Sequence, residues 1–232
     1  MTPVVKWIQD FLSGRRFRVR VNLSYSVWSL VASKVPEGSD LGPILFLIFI
    51  NDLIKCCIAH SEVCLFADDA KLFKHILSES DEQQLQEGIN KLCLDQNWLL
   101  NLNISKCNVI SFGRTVDKSH TYNITDSDVT LINRVNIIKD LGILTDEKLT
   151  FRDHIHDKIN TAYMMLGLIK WNFKYLTVST FVLLYKNMVR SHLDYCSSVW
   201  SPYRKGDIEA LEKVQKKATK ILPQLKHNKR SK

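Results

Sequence analysis

Long hydrophobic runs are scarce in this sequence. The longest, Leu41 to Ile50, ends at Asn51-Asp52, far short of the ~20 residues a helix needs to cross a bilayer. No secretory signal precedes the six cysteines (56, 57, 64, 93, 107 and 196), which fall mostly within apolar segments. Reduced, buried thiols are therefore expected. Zinc spacing is missing as well, because Cys56 and Cys57 are adjacent and His192 with Cys196 makes half a site. His154 and His156 read as helix-surface histidines. There is no internal repeat and no low-complexity tract. Acid is scarce at the start, where Asp10 is the only carboxylate before Glu37. These absences predict an intracellular protein of the nucleus or cytoplasm, neither secreted nor membrane-spanning.

At 232 residues and 26.9 kDa, with 45% hydrophobic and 24% charged residues, the chain can bury a core as one or two subdomains. Its net charge of +8 sits at one end. Residues 213–232 carry eight Lys/Arg and no Asp/Glu, and the rest of the chain is balanced. Lys216, Lys217 and Lys220 in this segment suit nucleic-acid phosphates; a solvated helix end running into a disordered terminus has the same composition.

Period and breakers divide the chain. Residues 4–12 read as the end of an amphipathic helix stopped by Ser13-Gly14. Arg16, Arg18 and Arg20 alternate with Phe17, Val19 and Val21, which predicts a strand with one apolar and one guanidinium face. That face is either solvated or turned to phosphate. A second strand is expected near 26–33. Residues 41–57 predict a mostly buried helix, with Pro43 tolerated in its first turn. Strands follow at 62–67 and 70–76, then a helix over 78–101 with Leu85, Ile89, Leu92, Gln96 and Leu99 on one face and Ser80 and Gln83 as a capping box. Strands are expected at 107–113, 128–133 and 136–144, with polar turns holding Asp117, Asn123 and Asp126 between the first two. Beyond Phe151 the apolar period turns helical, in stripes through Ile155, Ile159, Ala162, Met165 and Leu166; Phe181, Leu184, Tyr185 and Met188; and Ile208, Leu211, Val214, Ala218 and Leu222. The fold class is α+β, with a boundary near 150.

Asp68-Asp69 fall at the turn between two apolar, strand-like runs. Ionised carboxylates held by two strands suit Mg²⁺, although Asp is also an ordinary turn residue. The neighbours narrow the choice. Upstream lie Val35-Pro36-Glu37-Gly38-Ser39-Asp40-Leu41-Gly42-Pro43 and Ile50-Asn51-Asp52-Leu53. Downstream come Trp98, Asn103, Lys106-Cys107, Lys139-Asp140-Leu141-Gly142-Ile143, Leu149-Thr150-Phe151 and His154-Ile155, then Tyr195-Cys196-Ser197-Ser198-Val199-Trp200 and Leu211-Glu212-Lys213.

In order and spacing these motifs resemble the reverse transcriptase of non-LTR retrotransposons, the jockey-like group in particular, over nearly all the chain to about Pro223. The resemblance implies a partial polymerase palm over 1–150, an antiparallel sheet with packed helices that lacks the fingers and the first catalytic strand. A helical thumb-like region over 151–223 and a basic disordered tail over 224–232 would follow. It implies nucleotidyl transfer with two Mg²⁺ ions, an RNA template, a DNA primer and deoxynucleoside triphosphates. Nothing in the pattern indicates an oligomeric state.

By resemblance Asp68 is the principal metal ligand, Asp69 its companion, and Phe66 stands where the family has Tyr or Phe. Pro36, Glu37, Gly38 and Ser39 back the template and incoming nucleotide. Lys106 protonates or screens the pyrophosphate, and Leu141 with Gly142 belongs to the hairpin that grips the primer. Arg16, Arg18 and Arg20 are then read as phosphate-facing. Three positions depart from the family form Gly-Val-Pro-Gln-Gly-Ser-x-Leu-Gly-Pro: Lys34 replaces Gly, Glu37 replaces Gln, and Asp40 fills an apolar place. Glu37 exchanges an amide that can donate for an acceptor-only anion. Family members carry a further catalytic Asp on an upstream strand that has no counterpart here, so the chain reads as an N-terminally truncated fragment, inactive alone. The alternatives are a non-catalytic nucleic-acid-binding remnant and a domesticated interaction module.

Overall fold

The computed structural model describes residues 2–31, 35–36, 38–57, 61–94, 102–113, 116–125, 128–173 and 175–221. The expectations for Lys34, Glu37, Gln96, Trp98, Leu99, Asp126, Leu222 and the tail beyond it lie outside these residues. The chain divides into two compact units, one of residues 1–105 with 122–131, the other of residues 106–121 with 132–232. The expected boundary near 150 falls within the second unit, where its strands give way to helices.

The first unit opens with helix α1 (Pro3–Leu12), ended at Ser13 as the breakers predict. A ribbon follows, made of β1 (Arg16–Phe17), β2 (Arg20–Val21), β3 (Ser24–Tyr25) and β4 (Ser29–Leu30), with β1 pairing β4 and β2 pairing β3 antiparallel. The next element departs from expectation. Residues 41–57 form two helices, α2 (Leu41–Ile50) and α3 (Leu53–Cys57), separated by a turn at Asn51-Asp52. Nor is the first of them mostly buried: Ile50 is covered, but Ile44, Leu47 and Ile48 are 53%, 59% and 65% exposed. A helix that is apolar all round needs cover on every side, and its described neighbours supply it on one.

The expected hairpin is present as β5 (Glu62–Phe66) and β6 (Asp69–Phe73). Helix α4 (Glu79–Leu94) runs behind it. Its cap lies two residues before the predicted pair. The Asp81 carboxylate accepts from the Leu77 and Ser78 backbone N–H groups (3.1 and 3.0 Å) and from the Ser78 hydroxyl (2.8 Å), so Ser78 and Asp81 close the helix start. Asn123, expected in a turn, begins strand β8. Gln86 of α4 donates to its carbonyl (2.8 Å) and accepts from its N–H (3.0 Å), which fastens that strand to the helix.

Among the described residues the strands form six two-stranded ladders rather than one wide antiparallel sheet. The remaining ones are β7 (Asn108–Val109) beside β10 (Asn133–Arg134), β8 (Asn123–Thr125) with β9 (Val129–Leu131), and β11 (Ile137–Asp140) with β12 (Ile143–Asp146). The β7–β10 pair is parallel. Arg134 secures it by donating to the Ser111 hydroxyl and, at 2.7 Å, to the His120 carbonyl. Mixed helices and small sheets fit the α+β class.

The second unit holds the larger core. Helix α5 (Arg152–Asn172) buries Ile155, Ile159, Ala162, Leu166 and Ile169, as its 3.6-residue period predicts. Helix α6 (Val178–Leu184) continues through a widened turn, Tyr185–Arg190, into α7 (Ser191–Asp194), and α8 (Ser197–Trp200) and α9 (Lys205–Thr219) follow. Phe181, Val189, Trp200, Val214 and Ala218 complete the buried cluster with Ile143 of β12. His154, read as a surface residue, lies fully inside it, edge-on to Trp200 at 5.1 Å, while His156 is exposed as expected. No helix among the described residues is long and apolar enough to cross a membrane.

Candidate active site

Strand pairing decides what the Asp68-Asp69 hairpin presents. Directly opposed residues share a face, so Glu62–Phe73, Cys64–Lys71 and Phe66–Asp69 lie on one side and Val63–Leu72 and Leu65–Ala70 on the other. The second set is half-buried, and α3 and α4 pack against these strands. The first set looks outward: Phe66 is 60% exposed, and Cys64 and Asp69 are exposed. An exposed Cys64 corrects the expectation of buried thiols, and the exposed Cys196, on a short connection between helices, corrects it again. Both are free thiols, as expected.

The turn itself is two residues, Ala67 and Asp68, with Ala67 at φ +50°. A positive φ at only the first of two turn residues is the sense of a type II′ turn, whose twist suits a tight hairpin. It holds Asp68 at the very tip and leaves Asp69 as the first residue of the returning strand, beside the Phe66 ring on the open face.

The Pro36–Gly42 segment is tied to itself across the start of α2. The Ser39 hydroxyl donates to the Pro36 carbonyl (2.7 Å) and accepts from the Gly42 N–H (3.1 Å). Gly38 sits at φ +75°, and a Cβ on Gly42 would meet the Ser39 hydroxyl at 3.1 Å and the Pro36 carbonyl at 3.3 Å. Glycine at 38 and 42 follows from backbone geometry here.

Arg16, Arg18 and Arg20 lie exposed on the ribbon of the first unit, and the other site residues belong to the second. Lys106 closes a 3₁₀ turn, Ile104–Lys106, and is exposed. Leu141 and Gly142 form the two-residue turn between β11 and β12, both with positive φ (+44° and +85°), which is the requirement of a type I′ hairpin. Lys216 pairs with Glu212 at 3.1 Å, Lys217 lies over the Tyr163 ring at 4.6 Å, and Lys220 is exposed.

A model of the reverse transcriptase (RNA-dependent DNA polymerase) family matches residues 1–179. The chain belongs to this family. Among curated relatives it is 26% identical over 235 residues to a probable RNA-directed DNA polymerase from transposon X-element of Drosophila melanogaster, covering 95% of this chain and 25% of the relative. The corresponding enzyme from transposon BS of the same fly is 27% identical, with the same coverage of both. The RNA-directed DNA polymerase from mobile element jockey of Drosophila funebris is 27% identical over 90% of this chain and 24% of its own length. The jockey-like resemblance is thus borne out, and the chain spans about a quarter of the length of these relatives. No solved structure matches it.

Members of the reverse transcriptase family work with Mg²⁺, and the donors at the hairpin fit that ion in kind. Mg²⁺ takes hard oxygens and is commonly held by one or two carboxylates, with waters and substrate phosphates filling the octahedron. Asp68 and Asp69 are such a pair. Among the described residues no cluster of three or more His, Cys, Asp or Glu is assembled.

Residue-type patterns missed two parts of this reverse transcriptase chain. Tyr195 donates its hydroxyl to the Leu141 carbonyl (2.9 Å), and its ring lies 3.4 Å from where a Cβ on Gly142 would stand. Tyr25 and Trp28 of the ribbon stack on Arg18. Tyr195 was visible only within its motif; the one signal for the ribbon rings was their place in the strand opposite the arginines.

Proposed function

We propose that residues 1–232 form the palm and thumb-like part of an RNA-directed DNA polymerase, with Asp68 and Asp69 as one of two carboxylate arms of a two-metal site. The observation that carries this is the hairpin: two adjacent carboxylates at a tight turn, one face backed by helices and the other open, in a chain of the reverse transcriptase family. When bound, Mg²⁺ supplies charge neutralisation of the triphosphate and activation of the primer 3′ hydroxyl. In this reading Asp68 and Asp69 hold the ion, and Phe66 stacks beside the primer end or incoming nucleotide. Pro36, Glu37, Gly38 and Ser39 back the template base, and Lys106 faces the pyrophosphate. The Leu141-Gly142 turn grips the primer, and the backbone is held by Arg16, Arg18, Arg20, Lys216, Lys217 and Lys220. The palm is assigned to 1–150, the thumb-like helices to 151–223 and a basic tail to 224–232. RNA template, DNA primer and deoxynucleoside triphosphates are the partners.

Two metals need carboxylates from more than one strand, and Asp10, the only acid before Glu37, lies on α1 rather than on a strand. The chain alone is therefore expected to be inactive. Primer extension on an RNA template tests both statements. Residues 1–232 alone should give no product. A chimera in which they replace the matching quarter of the jockey polymerase should extend the primer and lose extension on Asp68→Ala. An active chimera indifferent to that change would overturn the assignment. A non-catalytic binding role is the second reading, favoured by the exposed arginine face of the ribbon.

A further inference from the structure

The ribbon of residues 16–30 has two unlike faces, and a change of register builds one of them. Toward its tip Arg20 opposes Tyr25 and Val21 opposes Ser24, and the Ser26 N–H donates to the Val19 carbonyl at 2.9 Å. At its base Phe17 opposes Ser29 and Arg16 opposes Leu30. Between these ladders the second strand holds one residue more than the first, so Val27 and Trp28 together face Arg18. A bulge of this kind re-aims a side chain. Here it brings Trp28 to the side of Arg18 and Tyr25. The Arg18 guanidinium lies 4.0 Å from the Tyr25 ring centre and 4.5 Å from that of Trp28, and Arg20 lies 5.3 Å from Tyr25. One face thus carries Arg16, Arg18 and Arg20 interleaved with two rings, and the other sets Phe17, Val19 and Val21 against serines.

Both rings remain open to solvent, Tyr25 at 51% and Trp28 at 57%. Residues 11–36 contain four arginines and one lysine and no Asp or Glu. A surface that joins the exposed guanidinium groups of Arg16, Arg18 and Arg20 to exposed rings suits a ligand with phosphates and accessible flat faces. Duplexes hide their base faces within the stack; single strands do not.

We infer that this face of the ribbon is a sequence-independent contact for single-stranded nucleic acid, in which bases stack on Tyr25 and Trp28 while Arg16, Arg18 and Arg20 meet the backbone. It rests on the proposed phosphate-facing role of these arginines, adds the rings and the single strand, and does not depend on the carboxylate hairpin. Base–ring stacking is sequence-tolerant, and each ring lost typically weakens binding by about fivefold to a hundredfold.

The test is fluorescence anisotropy of the full chain with a labelled oligouridylate of about 20 nucleotides, a length that spans several stacking positions. EDTA is present, so no metal-dependent contact is scored, and a failure of the polymerase reading leaves this result untouched. Tyr25→Ala and Trp28→Ala should each weaken binding at least about fivefold with the salt slope kept, and Trp28→Phe should restore it. Arg18→Gln should lower the slope of log K against log salt by about one. A labelled duplex of equal length should be indifferent to the ring changes. Unchanged single-strand affinity in both alanine variants overturns the proposal. So does an equal loss on duplex, which would leave only a phosphate contact, and so does a ring-dependent dimer in sedimentation, which would assign the face to a second copy of the chain.

Discussion

His154 is kept neutral by its surroundings. Burial first, and the Lys158 charge next, push its pKa below the ordinary 6.5, against an opposite pull from Asp157. Its Nδ1 accepts the Leu144 N–H at 3.2 Å, which places the proton on Nε2 beside Trp200. A histidine whose pKa is lowered on folding contributes stability in full above its unfolded value. That contribution is lost as pH falls from there toward the folded value. The urea midpoint of the chain should therefore drop between about pH 7 and pH 5, the range in which an unfolded histidine takes up its proton. His154→Gln, whose side-chain carbonyl can still accept the Leu144 N–H, should flatten that slope. A wild-type midpoint level across the same range would show that His154 does not couple to folding. Asp146 acts at lower pH. Burial works to raise its pKa, but hydrogen bonds from Thr150 and the Phe151 N–H (2.7 Å) outweigh it and hold the carboxyl low. The contact it stabilises is complete above the usual carboxylate range and fails as pH falls through its folded value. Asp146→Asn should remove that acid-side loss, read from the same midpoints.

At the scale of elements, the first of two hairpins was legible in local pattern, and their supports were not. The apolar runs on either side of Asp68-Asp69 locate β5–β6 from local sequence, whereas the local pattern read 136–144 as one strand; the break at Leu141-Gly142 that divides it into β11 and β12 was given only by the family resemblance. The partner that steadies the second turn, Tyr195, comes from 54 residues along the chain, a distance no local pattern spans. His154 was misplaced for the same reason: its cover is Trp200. The run Leu41–Ile50 misled in another way, since an apolar pattern records a need for cover and not whether neighbours provide it. The Arg18–Trp28 stack depends on a one-residue shift of register, and pairing register is set by the whole ribbon rather than by residue type. The β11–β12 turn gives the prediction for this scale. Gly142→Ala puts a side chain at φ +85°, where an L-residue costs about 1–2 kcal/mol; its Cβ at 3.4 Å from the Tyr195 ring is only an ordinary contact. The destabilisation should thus arise from the backbone and persist in a Tyr195→Ala background. If removing the ring rescues Gly142→Ala, the strain lies in the contact instead.

Across the whole molecule, the buried core is unevenly shared between the two units. The second unit joins β12 to α5, α6, the widened turn, α8 and α9 through one buried cluster. Among the described residues of the first unit the buried apolar side chains are Ile50, Leu53, Tyr122 and Ile124. Its surface shows Trp7, Ile44, Leu47 and Ile48, each more than half exposed. Among the described residues the β5–β6 ladder has two strands, an arrangement with backbone edges of the kind that recruit other strands. Contiguous apolar surface on a monomer favours association, while amides in a packed core open last. Hydrogen exchange should accordingly be slowest in α5 and α9 and fast from α1 through α2. Sedimentation should show mass rising with concentration, and Leu47→Glu with Ile48→Glu should shift the chain toward monomer without changing protection in α5. Both substitutions fall on exposed positions, so they add charge to the surface without emptying a core. A wild-type chain that sediments as a monomer at every concentration would mean that α2 is covered by a part of the chain itself, and the slow amides would then extend into residues 41–50.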